Sequence, residues 1–188
     1  MLPPSYVSFF SVSTQVSAAL IGLLFVSVSI EAESVFGERA TLRRQLTALS
    51  AFTALVNTFF LSLTSIIPSS SPGPAAVALG VLAVNGTAAD ALTALRLRKQ
   101  ERRTVTLLLI VISMALYAYE TALGVKLILH PHDIGTVDDL LTVVIAAYAI
   151  GLSRAWQLLG GRRGHSLLRQ IRAALRGRTA PGDDDGAT

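Results

Sequence analysis

The sequence contains no cysteine and few charged residues. Among its 188 residues, Asp, Glu, Lys and Arg together make up 15%, against roughly 25% in a soluble domain. The absence of cysteine excludes a disulfide framework and a thiolate metal site. The low charge, combined with a hydrophobic content of 52%, is typical of a chain whose main solvent is lipid. We therefore expect a small integral membrane protein.

Motifs of the common enzyme classes are also missing. The sequence has no G-x-S-x-G, H-E-x-x-H, Walker A or G-x-G-x-x-G motif, and its three histidines leave few candidates for a nucleophile or a base. We expect neither enzymatic activity nor a cofactor. The 16 Lys and Arg residues fall in short clusters between apolar runs and do not form one continuous face, so nucleic-acid binding is not expected either.

Five stretches are long and apolar enough to cross a bilayer, which takes about 20 residues of helix. They predict transmembrane helices at 6–30, 46–67, 75–95, 104–129 and 137–159. The second and third are separated by 68–74, where three prolines and one glycine interrupt any helix. The expected fold is all-α: a polytopic bundle covering residues 1–160.

Lysine and arginine residues cluster on alternate connections of this predicted bundle. The clusters are Arg39, Arg43 and Arg44; Arg96, Arg98, Lys99, Arg102 and Arg103; and Arg154 together with the arginines between 162 and 178. Cytoplasmic loops carry the excess of Lys and Arg, so this pattern predicts an outside N-terminus and a cytoplasmic C-terminus. Lys126, the one exception, is expected to snorkel to the outer interface.

The segment 17–30, SAALIGLLFVSVSI, resembles the first span of a group of small actinobacterial integral membrane proteins of uncharacterised activity. This resemblance implies a multi-pass protein of a bacterial cytoplasmic membrane. It implies no activity and no site residue.

Beyond the last span, residues 161–178 alternate leucines and arginines in the pattern of an amphipathic helix. Arg169, Arg172 and Arg176 share one arc, from which they would contact anionic headgroups at the cytoplasmic face. These arginines would equally serve as a flank that only fixes the topology. Residues 179–188, with three consecutive aspartates, are expected to form a disordered tail.

Asp90 and Arg154 are two ionisable residues inside predicted spans, where such groups are costly and often functional. Both are expected near the cytoplasmic end, Asp90 because it precedes Arg96 by only six positions. One interpretation is an ion pair that joins the third span to the fifth. The other is that Arg154 snorkels and Asp90 is hydrated from the cytoplasm.

Glu120 lies well inside the fourth predicted span and is the most informative of these residues. A carboxylate at that depth must face the bundle interior, a water-filled cavity or a symmetry mate. Either it binds a cation or a proton, or Tyr117, one turn before it, and backbone groups hold it as a helix-packing element. Both interpretations remain open.

The first span carries a stripe of small and polar residues. Its members are Ser8, Ser11, Gln15, Ala18, Gly22 and Ser29. Hydroxyl and amide groups are poorly accommodated by lipid, so the stripe predicts an interface with another helix of the same chain, or a pore lining contributed by identical subunits. Asn57 and Asn85 in the next two spans are expected to make interhelical hydrogen bonds.

The connection before the last span contains metal-ligand residue types. His130, His132 and Asp133 would hold Zn²⁺ or another divalent ion on the outer face. Pro131 and Gly135 equally indicate an ordinary polar turn.

Two functions follow from these observations. The first is a homo-oligomeric membrane protein that forms an ion channel or small-solute pathway, with Glu120, Asp90, Gln15, Ser8 and Ser11 as its polar groups. The alternative is a non-conducting membrane module that assembles with, or regulates, a partner protein.

Overall fold

The described residues form six α-helices, five of them long. The computed structural model describes residues 3–30, 32–37, 42–68, 71–96 and 103–160. Its helices are α1 Pro4–Ile30, α2 Ala32–Phe36, α3 Leu42–Ser65, α4 Pro72–Arg96, α5 Arg103–Leu129 and α6 Ile134–Gly160, and these residues contain no strand. All except α2 are long and apolar enough to span a membrane. The all-helical expectation is thus confirmed, and the five long apolar helices are consistent with a multi-pass membrane protein; the sequence did not indicate α2.

Proline and a capping aspartate set the helix bounds at the connections between helices. Helix α4 begins at Pro72, earlier than predicted, because proline is tolerated in a first turn, where its missing N–H has no intrahelical partner. Helix α6 begins after Asp133, which accepts hydrogen bonds from the backbone N–H of Thr136 at 3.4 Å and from its hydroxyl at 2.6 Å. Such a cap satisfies donors that the first helical turn leaves free.

Helices α3, α4, α5 and α6 close into a ring in which each helix packs on the next. The closest packing is between α4 and α5, where Gly73, Gly80 and Gly124 bring the backbones together. A Cβ atom on Gly124 would lie 2.7 Å from the Val77 nitrogen and 2.9 Å from the Gly73 oxygen. Helix α1 packs outside the ring on α3. The diagonal pairs, α3 with α5 and α4 with α6, therefore face each other across the interior.

The two ends of the bundle differ in charge. Arg44 and Arg154 lie toward one end, which we call the basic end, while Asp133, Asp138 and Asp139 lie at the other, the acidic end. The larger apolar cluster fills the half nearer the acidic end. It comprises Phe10, Leu61, Ala76, Leu123, Leu127, Val137, Leu140, Val143 and Val144. At the acidic end, the Tyr6 hydroxyl also donates a 2.7 Å hydrogen bond to Asp138, joining α1 to α6.

Candidate functional site

A carboxyl group lies in the bundle interior near the middle of the membrane-spanning part of α5. Glu120 belongs to the span Leu107–Leu129, and its side chain is fully buried, with 0% of its surface exposed. The position is on the ring-facing side of α5, which also carries Ser113 and Tyr117 at helical spacing, both buried. Of the three surroundings that the sequence left open for this carboxyl, a bundle interior, a water-filled cavity or a symmetry mate, the fold places it in the bundle interior.

Asn57 of α3 contacts Glu120 across one diagonal of the ring. Its Nδ2 donates a hydrogen bond of 2.7 Å to Oε2 of Glu120, and the bond is buried. The other oxygen of each group, Asn57 Oδ1 and Glu120 Oε1, is buried without a hydrogen-bond partner. The expected interhelical bond of Asn57 is confirmed. Its acceptor is a carboxyl group, which the sequence did not reveal.

Asp90 of α4 and Arg154 of α6 occupy the other diagonal, closer to the basic end. Each precedes the last residue of its helix, Arg96 or Gly160, by six positions. Arg154 is 5% exposed and its Nε has no hydrogen-bond partner, whereas Asp90 is half-buried. The two charges interact electrostatically, but no direct ion pair joins these two described residues. The predicted pairing of the third and fifth spans is thus present only as attraction at longer range.

Tyr117 lies between Glu120 and the level of Asp90 and Arg154. It is buried, one turn from Glu120 toward the basic end. Ser113 and Thr87 extend this polar side of the interior, although each hydroxyl donates to a carbonyl of its own helix. On α4, α5 and α6 the ionisable groups of the interior therefore lie level with Glu120 or on its basic side, whereas its acidic side holds the larger apolar cluster and buried hydroxyls of α3 such as Ser62.

A second polar cluster joins α1 to α3 and α6. The Ser13 hydroxyl lies 2.7 Å from the Ser62 hydroxyl and 2.9 Å from the Tyr148 hydroxyl, and the Tyr148 hydroxyl lies 2.7 Å from that of Ser17. Ser13 and Ser17 are buried. Polarity alone did not distinguish these residues in the sequence, because α1 carries serines on both faces. The signal that was available is their i, i+4 spacing in register with Phe10 and Leu24.

The polar stripe predicted on the first span faces outward. Ser8 and Gln15 are exposed, as are Ala18, Gly22 and Ser29, and Ser11 is partly exposed. The prediction that this stripe packs against another helix of the same chain is therefore wrong. Asn85 is also exposed and donates to the Val81 carbonyl of its own helix at 2.8 Å, so its predicted interhelical bond is wrong as well.

The connection between α5 and α6 forms a polar turn. The Lys126 ammonium lies 3.0 Å from Asp133 Oδ2, and the Thr136 hydroxyl donates to the same oxygen at 2.6 Å. The Asp133 carboxylate of the suggested metal site is therefore already bonded within the turn. Hydrogen bonds from Thr136, first, and then from Lys126 lower the pKa of Asp133 to about 2. No group of three or more His, Asp or Glu side chains in the described residues is placed to hold a metal ion. His130, His132 and Asp133 do not form the metal site suggested by the sequence.

The arginines assigned to lipid binding, Arg169, Arg172 and Arg176, lie outside the described residues, as does the whole segment 161–188.

The fold is a small helical bundle with buried ionisable groups, and its five long apolar helices are consistent with a membrane protein. Comparisons with models of known protein families, with curated proteins and with solved structures find no match to this chain.

Proposed function

We propose that this chain is the subunit of a homo-oligomeric membrane protein that provides a pathway for a small cation, with Glu120 as the group that handles the ion. The observation that carries the proposal is the Glu120 carboxyl itself: fully buried, at mid-span, with one oxygen bonded to Asn57 and the other without a partner.

The cost of such a carboxyl supports a functional role. An acidic residue at the centre of a transmembrane helix is unfavourable by at least about 2.5 kcal/mol on insertion scales. A glutamine at position 120 would keep a hydrogen bond to the Asn57 side chain without introducing an ionisable group. Retention of the acid therefore favours a use for its charge or its proton.

The outward face of α1 supports assembly of several copies. Gln15 lies near the middle of the span Pro4–Ile30 and is exposed, and hydrocarbon offers its amide no hydrogen-bond partner. A second copy presents the same amide at the same depth. Closed symmetric assembly is the common outcome when identical surfaces meet.

The distribution of basic residues supports an orientation. We place the basic end of the bundle in the cytoplasm and the acidic end outside a bacterial cytoplasmic membrane, because cytoplasmic flanks of spans carry the excess of Lys and Arg.

Flux into proteoliposomes tests the proposal. Purified protein should collapse a proton or monovalent-cation gradient faster than empty vesicles do. Glu120→Gln, which keeps the size and hydrogen-bonding capacity of the side chain, should reduce this flux to near the background. Glu33→Gln is the matched control because Glu33 is exposed on the short helix α2, and it should conduct as the unmodified chain does. Flux that is absent, or equal in both variants, contradicts the proposal.

The alternative is a non-conducting module whose exposed α1 stripe binds a different membrane protein. The observation that favours it is the dense apolar packing on the acidic side of Glu120. This alternative function predicts that the purified chain is monomeric and shows no flux under any ion gradient.

A further inference from the structure

The buried pair Asn57–Glu120 contains two oxygen atoms that lack a donor. One hydrogen bond joins Asn57 Nδ2 to Glu120 Oε2, which leaves Asn57 Oδ1 and Glu120 Oε1 as buried acceptors without a partner. A buried polar atom without a hydrogen-bond partner is energetically unfavourable. Oδ1 shares the Asn57 amide with the bonded Nδ2, and Oε1 shares the Glu120 carboxyl with the bonded Oε2. Both partner-free oxygens therefore lie beside the same hydrogen bond.

A metal cation does not fit this place well. Hard cations take six or more oxygen ligands, and intramembrane ion sites usually recruit carbonyls from unwound helix segments. Both α3 and α5 are continuous helices through the level of the pair, so their backbone carbonyls remain engaged within the helix.

A proton fits without any further ligand. Bound to Oε1, it converts that acceptor into an O–H donor, for which the partner-free Asn57 Oδ1 is the available acceptor on the facing amide. A carboxylic acid and a primary amide then form two parallel hydrogen bonds, one donated by each group. One proton thus satisfies both partner-free oxygens.

We propose that the ion handled by this chain is the proton, held between Glu120 and Asn57 as an acid–amide pair, and that it reaches Glu120 from the basic end of the bundle. That the proton is transported rests on the proposed function. That it is bound between Glu120 and Asn57 can be measured without any flux.

Three ionisable groups lie on the basic side of Glu120: Tyr117 on α5, Arg154 on α6 and Asp90 on α4, while α3 contributes Asn57. Tyr117 and Arg154 are buried and Asp90 is half-buried, so Asp90 is the least buried of the three. On the acidic side, Leu123 and Leu127 of α5 belong to the apolar cluster, whose buried members include no ionisable side chain. The hydroxyls that lie beside it, Ser62 and Tyr148, are bonded to Ser13 and Ser17 of α1.

Infrared difference spectroscopy of the purified full chain tests for the proton. At neutral pH, exposed carboxylates are ionised, so we expect one carbonyl band of a protonated carboxyl. That band should disappear in Glu120→Gln and persist in the control Glu33→Gln. In Asn57→Leu it should remain but shift in frequency, because the amide partner is lost.

The two proposals fail separately. A chain that conducts Na⁺ or K⁺ but shows no such band, or a band unaltered in Glu120→Gln, overturns the proton inference and leaves the proposed function standing. A band with the expected behaviour in a chain without flux supports the proton site and removes the proposed function.

The route is tested by kinetics. After a pH jump, the Glu120 band should respond severalfold more slowly in Asp90→Asn than in the unmodified chain. Asp139→Asn, the same exchange at the acidic end, should leave the rate unchanged. Equal rates in the two variants, or a slower response in Asp139→Asn alone, overturn access from the basic end.

Discussion

Tyr148 of α6 and Ser17 of α1 are joined through their hydroxyl oxygens, 2.7 Å apart. Through the same hydroxyl, Tyr148 also contacts Ser13, one turn earlier on α1. Helices gain little hydrophobic energy from associating in lipid, so packing and interhelical hydrogen bonds decide which faces meet. This contact therefore helps to fix the rotation of α1, and with it the outward direction of Gln15.

Tyr148→Phe should destabilise the bundle. It removes the hydroxyl shared by both serines, and interhelical hydrogen bonds of this kind contribute about 0.6–1.7 kcal/mol. The free energy of unfolding in detergent micelles measures the loss. Tyr119→Phe makes the same exchange at an exposed position of α5 and should have little effect. Equal stabilities of the two variants would contradict the role of the cluster.

The positions of the five long helices were predictable, whereas their rotations were not. Apolar runs of about 20 residues indicate spans because the bilayer requires that length, and Pro68 marked the end of α3 well. The face that a span buries does not follow from polarity in the same way, because lipid and the protein interior are both apolar. For this reason Gln15 was assigned to an interface that Ser13 and Ser17 occupy.

Gly124→Ala should disrupt the contact between α4 and α5. Its new Cβ would meet the Val77 nitrogen at 2.7 Å and the Ala76 Cβ at 2.9 Å, and backbone atoms cannot move aside as a flexible side chain can. Overpacking of this kind costs about 1–3 kcal/mol, measurable as a lower unfolding free energy. Gly86→Ala is the control on α4, because nothing lies within 4 Å of its Cβ position. A Gly124→Ala chain as stable as Gly86→Ala would contradict this close approach.

Asp133 should make stability depend on pH in a narrow acidic range. Its pKa is lowered from 3.8 to about 2, first by the Thr136 hydroxyl and then by Lys126. A depressed carboxyl pKa means that the stabilisation is fully present above the unfolded value of 3.8 and is lost as the pH falls through about 2. The unmodified chain should therefore melt at a higher temperature than Asp133→Asn at neutral pH.

This difference in melting temperature should shrink below about pH 4 and vanish near pH 2, the window set by the two values. Asp139→Asn removes a carboxylate at the same end but leaves the cap and the ion pair intact, and its melting temperature should stay closer to that of the unmodified chain. A gap for Asp133→Asn that is as large at the acid extreme as at neutral pH would contradict the assignment.

The individual residues of the candidate site were predictable from the sequence, but the contacts between them were not. Glu120, Asp90 and Arg154 stand out because ionisable groups are rare inside spans. That Asn57 faces Glu120 follows only from the ring of α3 to α6, in which α3 and α5 are diagonal. Sequence spacing relates residues on one helix, and it contains no information on which helices lie opposite each other.

Gln15→Leu should weaken self-association of the chain. The Gln15 amide is exposed near mid-span and makes no hydrogen bond to another of the described residues, so a neighbouring subunit is the expected partner. Loss of one interhelical hydrogen bond of about 0.6–1.7 kcal/mol corresponds to about 3- to 20-fold weaker association. Sedimentation equilibrium in density-matched detergent measures this change.

Val16→Leu is the control for that experiment, because Val16 is also exposed on α1 and neither side chain can form a hydrogen bond. Its association constant should remain close to that of the unmodified chain, because apolar side chains on this surface exchange lipid contacts for similar contacts. A monomeric unmodified chain, or equal association in the two variants, would leave Gln15 without the role proposed for it. The homo-oligomeric part of the proposed function would then be wrong, while the acid–amide pair inside each subunit would be unaffected.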